Sequence, residues 1–216
     1  MQASARGRRC RGFGIIEMLI AMGLSVIVMT AATKFFSYQV SAMRTERVRR
    51  GAQMTARTAL NFMVRQLELL GRDPQRVLFA SLDTPALPPA IATAGASEIH
   101  YRTNLSEELD DADTLDEWED VTFSVSDGVI WVTRGVAAPL PLTDGSQTAT
   151  SHVEDDGLTL SYFDGDGDEI LNLASAAARA SVRRIRVSLT VRGGAAGDET
   201  GPSVTLSQDV FLRNVS

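Results

Sequence analysis

From Phe13 to Phe36 the chain is almost continuously apolar, and this run sits directly behind an arginine-rich tip made of Arg6, Arg8, Arg9 and Arg11. Few folds accommodate such a start. Met18 to Thr33 alone falls just short of the roughly 17–25 residues a helix needs to cross a bilayer, and adding Phe13 to Ile16 reaches that span. A buried core helix is disfavoured because the run lies at the extreme N-terminus with basic residues before it. The interruptions are Glu17, Ser25, Thr30, Thr33 and the late Lys34. Glu17 is the informative one, since a carboxylate in the middle of a membrane helix costs roughly 2.5–3.5 kcal/mol. A position near the helix start, where the dipole and headgroup water help, explains why it is tolerated. A cation brought to it within the apolar layer, such as an α-amino group of a neighbouring chain, explains why it is there.

Charge and cysteine content narrow the partners. The formal net charge is −6 over 216 residues, and no basic stripe interleaved with aromatics marks the body of the sequence, so a nucleic-acid partner is not expected. Loss of the first twelve residues, with their four arginines, would take the charge to −10. The single cysteine, Cys10, lies in the basic tip, which excludes an intramolecular disulfide and zinc-ligand spacings. The loop arginines on the two sides of the apolar run nearly balance, so charge alone does not orient it.

Beyond the apolar run, Ala52, Ala56, Leu60, Met63, Leu67 and Leu70 recur every three or four residues and predict one helix that outlasts the membrane. Gly71 followed by Asp73-Pro74 supplies its stop. Such a helix, from about Gly14 to Leu70, would be roughly 85 Å long at 1.5 Å per residue. The remainder reads as strands at 98–103, 118–125, 129–134, 158–163, 182–192 and 204–213, with Ser126-Asp127-Gly128 as a hairpin turn. Segments 82–96, 136–157 and 193–202 read as loops. The fold class expected is α+β, a long helix laid on an antiparallel sheet. The organisation expected is a basic leader (1–12), a membrane or filament-core helix (13–36), its amphipathic continuation (37–71) and a β-rich head (72–216).

Two clusters invite chemistry. Asp164, Asp166 and Asp168 alternate with glycines as at the start of an oxygen cage for Ca²⁺. Glu169 stands where a glycine is expected and Ser175 where a bidentate glutamate would close the loop, so a solvated acidic turn is the competing account. The acidic stretch 107–120 reads as a solvated loop. His100 and His152 are isolated, and nucleophile-elbow, P-loop and zinc-protease spacings are absent, so no enzyme is expected.

The segment Arg11-Gly12-Phe13-Gly14-Ile15-Ile16-Glu17-Met18-Leu19-Ile20-Ala21 resembles the cleavage and methylation segment of type IV prepilins. The resemblance implies cleavage after Gly12 by a prepilin peptidase that also methylates the new N-terminal Phe13, and it implies that Glu17 pairs with the terminal amine of an adjacent subunit. Gly14 stands where a threonine is common, and no proline interrupts the helix. More loosely, Arg65 to Pro74, Leu158 to Asp164 and Val210 to Asn214 resemble the PilW class of minor pilins and the GspJ class of pseudopilins. The implied function is a minor type IV pilin in a pilus initiation or tip complex serving assembly, adhesion or twitching motility. The implied partners are other minor pilins, the major pilin and a tip adhesin. The implied location is the inner membrane and then the pilus, with the head outside the cytoplasm. A minor pseudopilin of a type II secretion system is the alternative. A third reading is a soluble secreted protein with an ordinary signal, of the twin-arginine kind given Arg8-Arg9, cleaved near Ala31-Ala32.

Overall fold

A computed structural model describes residues 14–72, 89–104, 119–143, 151–194 and 200–213. Trp118, placed in a strand by the sequence, and the acidic stretch up to that residue lie outside them. The chain divides into two compact units, Met1–Arg44 and Thr45–Ser216. One helix, α1 (Ile15–Leu67), contributes to both. In the first unit every described residue is exposed.

The second unit is built from the end of α1 and two antiparallel sheets. β1 (Ile91–Ala94), β2 (Ile99–Arg102), β3 (Asp120–Ser126), β4 (Val129–Arg134) and β5 (Leu140–Pro141) form the first in sequence order. β6 (Ser151–Phe163), β7 (Arg184–Gly193) and β8 (Ser203–Phe211) form the second, with a short helix α2 (Ala176–Ala180) between β6 and β7. The α+β class is therefore as expected, but the head holds two sheets where the sequence suggested one. Their junction is at β6, whose Val153 N–H donates to Gly128 O (2.9 Å) and whose Leu160 N–H donates to Ala96 O (2.7 Å).

Local chemistry explains the elements. α1 ends at Leu67, three residues before the expected Leu70, and a tight turn leads to Gly71, which adopts φ 71°, a left-handed conformation that favours glycine, and donates to Arg102 O at 3.1 Å. The β3–β4 turn is a two-residue loop in which Asp127 (φ 53°) and Gly128 (φ 74°) are both left-handed, and Ser126 faces Val129 across it. That is the turn whose twist suits a hairpin. In β6 the residues Glu154 to Gly157 oppose Thr190 alone, because Val153 faces Val191 and Leu158 faces Leu189. Gly157 makes this bulge feasible, as a Cβ there would lie 2.8 Å from both the N and O of Glu154.

Alternation supplies the core. Ile185, Val187, Leu189 and Val191 of β7 are fully buried, and Ile99, Tyr101, Val121, Phe123, Ile130, Leu158 and Leu160 join them. The α1 stripe Ala52, Ala56, Ala59, Leu60, Met63, Val64 and Leu67 closes over these faces. Phe62 meets Phe123 edge-on at 6.2 Å, and the Thr55 and Ser151 hydroxyls hydrogen-bond at 3.0 Å. Thr103 Oγ1 donates to Leu69 O at 2.8 Å, which fixes the turn after α1 to the residue that directly follows β2. On the far face of the second sheet the cross-strand pairs are polar: Ser188 with Ser207 (3.0 Å), Thr190 with Thr205 (2.8 Å), and Arg184 and Arg186 with Asp209.

Candidate assembly segment at the N-terminus

Gly12 and Phe13 lie outside the described residues. Glu17 lies in the first turn of α1. Its Oε2 accepts the Gly14 backbone N–H at 2.7 Å, while Met18 N–H donates to Gly14 O at 3.2 Å. This is the returning half of a capping box, with the acid three residues into the helix satisfying a donor that the helix start leaves unpaired. The sequence carries a signal for it, a small residue followed three positions later by glutamate, which motif reasoning alone passes over. Gly14 allows the close approach: a Cβ there would sit 3.3 Å from Oε2. Among the described residues Gly14 is the carboxylate's hydrogen-bond donor, so Oε1 remains able to accept an ammonium group.

The apolar residues that follow are open to the surroundings. Ile16, Leu19, Ile20, Val26, Ile27, Phe35 and Phe36 are each at least 58 % exposed. α1 is long and apolar enough to cross a membrane, and none of that stretch is buried. Its polar interruptions are satisfied within the helix. The hydroxyls of Ser25, Thr30, Thr33 and Ser37 donate to the carbonyls of Ala21, Val26, Met29 and Thr33 at 2.7–2.9 Å. A hydroxyl bonded back to residue i−4 presents little unsatisfied polarity to lipid.

The acidic turn after β6 keeps its contacts to itself. Asp164 Oδ1 accepts the N–H groups of Asp166 (3.0 Å) and Asp168 (2.9 Å), and Asp166 and Asp168 are exposed. Among the described residues no three His, Cys, Asp or Glu side chains gather to hold a metal ion. His100 bonds Asp120 across β2 and β3 on a half-exposed face, with Arg102 3.9 Å from the same carboxylate. His152 Nδ1 lies 3.3 Å from Gly194 O. Neither histidine lines the cavity of about 220 Å³ beside Tyr162 and Ile170.

Comparison with known proteins identifies a prokaryotic N-terminal methylation motif over residues 7–33, which spans Gly12, Phe13 and Glu17. The comparison with curated proteins finds no match. Among solved structures, a type IV-like pilin from Thermus thermophilus is similar, with 12 % identity and a TM-score of 0.46 over 76 % of this chain and 98 % of that one.

Proposed function

We propose that this chain is a minor type IV pilin, a structural subunit that is anchored in the inner membrane and then joins other pilins in a complex that starts the filament or caps its tip. The observation that carries the proposal is the methylation motif at 7–33 coinciding with an exposed apolar helix that holds Glu17 in its first turn. In this account a prepilin peptidase cuts between Gly12 and Phe13 and the new Phe13 amine is methylated. The amine then meets Glu17 of an adjacent subunit inside the apolar layer. A buried carboxylate is costly unless a cation pairs with it, so the pairing favours the stagger of subunits that brings the two together. The protein acts by assembly, with the head as the part left exposed.

Mass spectrometry of the mature N-terminus tests this. N-methyl-Phe13 is expected, and an unmethylated start beyond Ala32 would remove the pilin reading in favour of a secreted protein. Glu17→Gln is expected to leave cleavage intact and to reduce recovery in sheared filaments at least tenfold, whereas wild-type recovery would count against the amine pairing. Identification of co-purifying subunits distinguishes a pilus from a secretion pseudopilus.

A further inference from the structure

Within the second unit α1 carries two unlike faces. One is the apolar stripe already described. On the other, Arg47, Arg50, Met54, Arg57, Asn61 and Arg65 recur at spacings of three and four, and all six are exposed. The ridge runs about 27 Å along the helix at 1.5 Å per residue. Arg50 pairs with Glu46 at 3.2 Å and still leaves its side chain 75 % exposed, and Met54 at its centre is 74 % exposed. No carboxylate among the described residues pairs with Arg47, Arg57 or Arg65.

The charge of the whole chain sharpens the point. Residues 45–65 hold five arginines against Glu46, whereas residues 66–216 hold ten arginines against 25 aspartates and glutamates. A basic helix face thus accompanies a strongly acidic remainder. We infer that this ridge docks the acidic face of another subunit of the same assembly; the inference rests on the pilin reading above. Arginine forks match carboxylates in bidentate fashion, and arginine and methionine are enriched at the centres of protein interfaces. Electrostatic complementarity of this kind selects partner and register more than it adds affinity. A lipid surface fits less well. A helix that lies in the headgroup layer needs its own apolar face for the acyl chains, and here that face is already buried under the head's two sheets.

The test uses the full chain in its native host. A photo-cross-linking residue at Asn61 is expected to capture a second subunit that carries an N-terminal methylation motif, through a peptide rich in Asp and Glu. Arg57→Glu with Arg65→Glu should lower that capture and filament recovery at least tenfold, while N-methylation of Phe13 and the melting temperature stay at wild-type values. Arg57→Lys with Arg65→Lys should keep most of both. Wild-type recovery of the reversed variant, or capture of lipid alone, would overturn the inference and leave the pilin reading in place. Absence of methylated Phe13 in the wild type would overturn the two together.

Discussion

Tyr101 offers a sharp test of how the head is held together. Its ring is fully buried in β2, stacked on Phe123 with centroids 6.1 Å apart and an interplanar angle of 28°. Its hydroxyl has no hydrogen-bond partner among the described residues. Burial drives its ionisation well above the usual tyrosine range. A buried hydroxyl without a partner costs about 1–3 kcal/mol in lost solvation. Tyr101→Phe keeps the ring volume and the stacking and removes only that cost, so a stabilisation of about 1–2 kcal/mol is expected. For a domain of this size that is a rise of about 2–8 °C in Tm. Tyr162 provides the control. It is equally an inward residue of a strand, yet its hydroxyl donates to Gly95 O at 3.0 Å, so Tyr162→Phe should destabilise by about 1 kcal/mol. The two changes are chemically identical and should move stability in opposite directions. Guanidinium unfolding of the detergent-solubilised protein, followed by circular dichroism, reads both, provided the slope with denaturant stays unchanged. A loss of 1 kcal/mol or more in Tyr101→Phe would show that its hydroxyl is satisfied, and would refute the reasoning.

Other expectations follow from contacts in the same unit. Gly193→Ala would drive a Cβ into the Val48 side chain of α1, 3.1 Å from Val48 O, and should cost about 1–3 kcal/mol; adding Val48→Ala should recover part of it in the same unfolding assay, and no recovery would argue against that contact. Asp209 accepts from Arg186 (2.8 and 3.2 Å) and Arg184 (3.0 Å), chiefly the former, which holds its carboxyl below the ordinary range. A depressed carboxyl contributes stability above its unfolded pKa of about 4 and loses it as the pH falls further. Asp209→Asn should therefore lower Tm slightly at pH 7, with the difference from wild type shrinking towards pH 3; a gap that stays constant would deny the ion pairs their role. For the Asp164–Asp168 turn, 1 mM calcium is expected to leave Tm unchanged, since Asp164 Oδ1 is committed to backbone donors. A rise of several degrees that EDTA reverses would restore a metal site there.

How far these features could be read in advance differs by kind. Helix α1 and the turn at Gly71 follow from a spacing of three and four and from one residue type, both local. The β3–β4 hairpin follows from Asp127-Gly128, again a local signal. Strand β1 sits in a stretch expected to be loop because Ile91 to Ala94 is short and proline-flanked, and only pairing with β2 makes it a strand. The first half of β6 was hidden by Asp155-Asp156-Gly157, which reads as a turn; the pairing with β7 absorbs those residues as a bulge instead. The split into two sheets depends on which strand edges meet, a non-local outcome that no alternation pattern encodes. At the candidate site, Glu17 stood out because its cost in an apolar run demands a reason. The Gly14 contact that orients it depends on backbone geometry, and Gly12 and Phe13 rest on the motif alone.

The hydroxyls of Ser25, Thr30, Thr33 and Ser37 are all turned inward onto their own helix. From Met18 to Thr33 the helix flank therefore offers a neighbour shape but no free hydroxyl or charge, and the next charged residue after Glu17 is Lys34. Helices of this kind would slide past each other over that length at little cost. The pairing proposed for Glu17 would then set vertical position at one height and leave the greasy length up to Thr33 to settle by fit.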